Sequence, residues 1–114
     1  MELKKLVNLI NAKVVSELPS TLPEVDQAFS SDLMSDVLTL GEHSPMLITG
    51  LSNLQTIRTA EMADISVVVL ARGKNATPDM IELANEHNII LIETPFSVFR
   101  TSGILYQHGI QPVF

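Results

Sequence analysis

The run Ile65–Pro95, ISVVVLARGKNATPDMIELANEHNIILIETP, restricts the fold of this chain more than any other part of it. Val67, Val68, Val69 and Leu70 are consecutive apolar residues, and the character turns polar at Ala71-Arg72-Gly73-Lys74. Thr77-Pro78-Asp79 opens a helix, and Ile89–Ile92 form a second apolar run closed by Glu93, Thr94 and Pro95. A strand with one face in water alternates apolar and polar residues. Two uninterrupted apolar runs joined by a helix therefore predict a parallel pair buried on both faces.

The rest of the chain reads as units added to this one. Leu3, Leu6, Val7 and Ile10 share one side of a short amphipathic helix within residues 2–12. Val14 and Val15 predict a brief strand over Lys13–Glu17. Pro19 and Pro23 make residues 18–24 a loop, and a further strand is predicted over Val25–Phe29. Ser30-Ser31-Asp32 begins a helix with Leu33, Met34, Val37 and Leu38 inward, ended by Gly41. Met46–Thr49 is a strand stopping at Gly50. Ser52 or Asn53 caps the next helix, with Leu54, Ile57, Ala60 and Met62 inward. Thr94-Pro95 or Ser97 starts a last helix carrying Phe96, Val98, Phe99, Ile104 and Leu105, and residues 110–114 are a tail. Gly103 weakens that helix by about 1 kcal/mol relative to Ala, which close packing there would offset. The expected fold is α/β: a compact single domain over residues 1–114, with a mostly parallel sheet of four to five strands and helices packed on its faces.

With 114 residues there is room for one core. Seven Lys and Arg against 13 Asp and Glu leave a net charge of −6, which argues against nonspecific binding to nucleic acid or an anionic membrane. The absence of cysteine excludes disulfides, thiolate nucleophiles and Cys-ligated metal within this chain. No run approaches the length of a membrane span, and the opening residues do not read as a signal peptide, so the expected address is the cytoplasm.

In an open parallel sheet, ligands bind beyond the carboxyl ends of the strands. Four loops meet there: one with Ser31 and Asp32, one with Thr49, Gly50, Ser52 and Asn53, one with Arg72, Gly73 and Lys74, and one with Thr94 and Ser97. Hydroxyls, cations and free helix-start amides together suit a small anion. The same Ser, Thr and Asn also serve as helix caps, and the glycines as turn residues.

Gly73-Lys74 is not a kinase-type phosphate loop. Val68 stands at the first Gly position, and Asn75 follows the Lys where Ser or Thr should be. No GxGxxG is present. His43, His87 and His108 show no metal-ligand spacing, and His87 and His108 are placed to end helices. Asp32 and Asp36 fall on one face of the predicted helix, where Asp32 suits the first turn. No nucleophile–base pair is visible, so no catalytic residue, metal or cofactor is assigned.

The blocks Ser31–Leu38, Leu47–Asn53, Ala71–Lys74 with Pro78-Asp79, Thr94–Phe99 and Leu105–Ile110 resemble, in this order and spacing, the DRTGG domain. The likeness extends to its small stand-alone versions and to the N-terminal domain of HPr kinase/phosphorylase, and it covers roughly residues 26–110. The family is named for an Asp-Arg pair after one strand and Thr-Gly-Gly after the next. Here Gly50-Leu51-Ser52 and Ala71-Arg72-Gly73 stand near those places, keeping only the last Gly. The resemblance implies a regulatory or accessory module, often self-associating, found beside phosphotransacetylase, CBS-domain and kinase partners, with stand-alone members linked to hydrogenase-type redox systems. In HPr kinase the catalytic phosphate loop lies in the other domain, so kinase activity is not implied.

Two functions follow as expectations. One is a non-catalytic sensor of a small anionic ligand such as a nucleotide, acting as a homodimer or higher oligomer or on a partner enzyme. The other is an interaction subunit with no ligand of its own.

Overall fold

Each central strand feeds two cores at once. The computed structural model describes all 114 residues. Its elements are α1 (Leu3–Leu9), β1 (Lys13–Val14), β2 (Gln27–Ser30), α2 (Met34–Val37), β3 (Met46–Thr49), α3 (Leu54–Met62), β4 (Val67–Leu70), α4 (Pro78–Glu86), β5 (Ile90–Glu93), α5 (Val98–Gln107) and β6 (Gln111–Pro112). Every residue of β3, β4 and β5 is buried. Leu47, Val68 and Leu91 point into one core with Val37 of α2, Ile57 of α3 and Met80 of α4. Their neighbours Ile48, Val69 and Ile92 point into the other, with Leu6 of α1 and Leu105 of α5. Side chains alternate along a strand, so an all-apolar strand requires helices on both faces.

The sheet order is β1-β5-β4-β3-β2-β6. All pairings are parallel except β1 with β5, where Lys13 lies opposite Glu93. The sheet thus has six strands rather than four or five. The extra edge comes from the predicted tail, where Gln111 and Pro112 pair with Gln27 and Ala28. Proline is tolerated at such an edge because no further strand needs its missing N–H.

Several local expectations are corrected. The helix after Ser30 is only one turn, capped by the backbone of Leu33 with no side-chain bond. Leu33 and Leu38 are exposed, not inward. Ser31 Oγ instead accepts the Leu33 N–H at 3.0 Å in a local turn, which leaves Asp32 outside the helix. Asp32 and Asp36 therefore share no helix face. Met62 and Phe99 are also exposed, Phe99 at 88%. Asn53, Thr77 and Ser97 are N-caps whose side chains accept from Thr56, Met80 and Arg100 amides. No helix is long and apolar enough to cross a membrane.

Candidate functional site

At the carboxyl end of β3, the Asp32 carboxylate closes onto the strand terminus. Its Oδ1 accepts the Thr49 hydroxyl at 2.9 Å and the Gly50 N–H at 2.7 Å. Thr49 is fully buried, and its Oγ1 also accepts the Leu51 N–H at 3.1 Å. The second carboxylate oxygen, Oδ2, lies 3.4 Å from where a β-carbon on Gly50 would stand. Arg72 Cδ lies 3.1 Å from that same point. A side chain at residue 50 would thus push directly against Arg72, which is one physical reason for glycine there.

Arg72 and Gly73 follow β4 with φ of +68° and +70°. Two consecutive left-handed residues, with the Lys74 N–H donating to Ala71 O at 3.4 Å, make a tight turn of the kind that favours glycine at both centres. The turn is fixed to the next loop, since Arg72 N–H donates to Phe96 O at 2.7 Å and Gly73 N–H to Thr94 O at 3.0 Å. The other non-glycine residues at positive φ are Asn11, Asp64 and Asn88, types that tolerate this region. Arginine does not share that tolerance, and no ion pair joins its guanidinium to a carboxylate.

Lys74 lies on the other side of β4. It lines a recess of about 230 Å³ with Asn11–Lys13, Gly73, Asn75 and Glu93–Pro95. Glu93, nearly buried, accepts the Ala76 N–H at 2.6 Å through Oε2 and holds Lys13 Nζ at 3.7 Å through Oε1. Lys13 and Glu93 were not among the residues picked from sequence. Their pairing depends on β1 lying antiparallel against β5, which no local signal announces.

The expected residues therefore fall into two places. Asp32, Thr49, Gly50 and Arg72 meet over β3, whereas Gly73, Lys74 and Thr94 line the recess beyond β5. Ser52 donates to Asn75 O at 2.9 Å and ties the two central loops together. Asn53 and Ser97 cap helices, Ser31 holds its own turn, and Thr94 donates to Ile10 O at 2.6 Å. Among the expected residues, Arg72 and Lys74 are the cations, and neither is in an ion pair. No group of three or more His, Asp or Glu is placed to hold a metal ion.

The fold and these loops make a three-layer α/β domain with charged loops at its strand ends. No family model and no curated protein matches the sequence. The fold is similar to the crystal structure of the CBS and DRTGG domains of the regulatory region of Clostridium perfringens pyrophosphatase, complexed with its activator diadenosine tetraphosphate. The TM-score is 0.76 at 17% identity over 98% of this chain, which spans 48% of that neighbour. At that identity the likeness establishes the fold.

Proposed function

We propose that this chain is a non-catalytic regulatory module of the DRTGG kind. It senses a small anionic ligand, in the first instance a nucleotide, beyond the carboxyl ends of its strands. It passes the signal on by self-association or by docking to a partner enzyme. The observation that carries this reading is Arg72, a non-glycine residue in a left-handed turn where glycine would cost less. Backbone strain of this kind concentrates at ligand sites. The guanidinium is suited to a phosphate, while the free oxygen of Asp32 accepts from hydroxyl donors such as those of a ribose. The pyrophosphatase regulatory region takes a nucleotide activator, and the family resemblance of residues 26–110 points the same way.

Thermal-shift screening against mono- and dinucleotides and inorganic phosphate tests the reading. A ligand at a hundredfold excess over its Kd should raise Tm by roughly 10 °C. Arg72→Ala should weaken binding about 10- to 100-fold.

A second reading is an interaction subunit with no ligand of its own, serving a redox or kinase system. It is favoured by the internal hydrogen bonds that already occupy Thr49, Ser52, Asn53, Thr94 and Ser97. Failure of every anion to raise Tm selects it.

A further inference from the structure

We infer that the outward stripe of α5 is the surface through which two copies of this chain associate, about a two-fold axis crossing the helix between Ser102 and Gly103. The inference rests on the self-association part of the proposed function and adds its surface and register.

Helix α5 has more apolar surface than one face needs. Thr101 and Leu105 are buried against the sheet, yet Phe99 and Tyr106 point outward with 88% and 65% of their surface exposed. Phe99, Ser102, Gly103 and Tyr106 are spaced i, i+3, i+4 and i+7, so they form one stripe. It borders an open groove of about 440 Å³ between α5 and the β2–β6 edge. Phe114, 83% exposed, stands at the rim with its ring 6.2 Å from Phe29.

Three observations select a second copy as the occupant. First, the stripe is a palindrome, aromatic-small-small-aromatic. An antiparallel α5 from another copy would set Phe99 against Tyr106 and Ser102 against Gly103, each pair occurring twice. A two-fold interface must be self-complementary in this way. Gly103 has nothing within 4 Å of where a β-carbon would stand, which leaves room for the close approach.

Second, the groove is lined by no Asp, Glu, Lys, Arg or His. On a chain of net charge −6, two copies meet there without opposing like charges. Third, at about 150–250 Å² per aromatic side chain, Phe99, Tyr106 and Phe114 supply roughly half of the ~800 Å² per partner that a standard interface covers. The groove walls supply further area.

The test is sedimentation equilibrium on the full chain from about 1 to about 200 µM, the range in which interfaces of this size begin to hold. The wild type should dimerise, and Tyr106→Glu and Phe99→Glu should each weaken association by about tenfold or more. Gly103→Arg, at a position open to solvent, should also dissociate the dimer while far-UV circular dichroism stays unchanged. The double variant Phe99→Lys/Tyr106→Glu should associate more tightly than Phe99→Glu/Tyr106→Glu, because each introduced lysine faces an introduced glutamate of the second copy where the other variant opposes two glutamates. A monomer at every concentration overturns both this inference and the self-association reading. A dimer unmoved by Tyr106→Glu and Gly103→Arg overturns this inference alone.

Discussion

Arg72 lies over Gly50, its Cδ 3.1 Å from where a β-carbon on that residue would stand. Gly50 has an ordinary φ, so alanine there meets no backbone strain and its main effect is on the arginine. Gly50→Ala is therefore expected to change unfolding free energy by less than about 1 kcal/mol in urea titration. The same variant should bind a nucleotide about fivefold more weakly by calorimetry, part of the loss expected on removing the guanidinium altogether.

Arg72→Gly separates strain from ligand binding. A left-handed conformation costs a side-chain-bearing residue about 1–2 kcal/mol, offset in part by the greater freedom glycine gives the unfolded chain. Stability should be unchanged or higher by up to about 1 kcal/mol, while affinity for anions falls about 10- to 100-fold, as in Arg72→Ala. A large loss of stability would show that Arg72 serves the fold instead.

Asp32 secures the end of β3 by accepting from Thr49 and Gly50 through one oxygen. Asp32→Ala leaves both donors without that partner and should lower stability by about 2 kcal/mol. Asp32→Asn, with its carbonyl oxygen kept in place, should lose less than about 1 kcal/mol. Equal losses in the two variants, measured by urea unfolding, would contradict this account of the contact.

Two buried threonines should respond oppositely to valine. Thr94 donates to Ile10 O and accepts the Phe96 N–H at 3.2 Å, joining the end of α1 to the loop after β5. Thr94→Val should cost about 1–3 kcal/mol. Thr101, equally enclosed, has a hydroxyl with no partner. Thr101→Val should be neutral or stabilise by up to about 1 kcal/mol. Thermal and urea unfolding of the two variants check the sign.

Where local chemistry decided the structure, the sequence was readable. The apolar runs at Met46–Thr49, Val67–Leu70 and Ile89–Ile92 became the buried strands, and Asn53, Thr77 and Ser97 became caps. Where distant partners decided it, the local signals misled. Asp32 looked like a first-turn acid, but the free Thr49 hydroxyl and Gly50 amide drew its carboxylate away. Gln111-Pro112 reads as part of a tail, yet β2 offers it an edge to pair with. Phe99 matched the helical period of α5 but falls on its second apolar side, which a single stripe could not distinguish. Lys13 joined the recess only through the antiparallel pairing of β1 with β5.

The central claim, that Arg72 is held in its strained turn to meet an anion, is tested most directly by calorimetric titration of a nucleotide into the wild type and Arg72→Ala. Saturable binding to the wild type, weakened about 10- to 100-fold in the variant with no loss of fold, is the expected result. Equal affinity in both proteins, or no heat of binding with any nucleotide or phosphate, would contradict it.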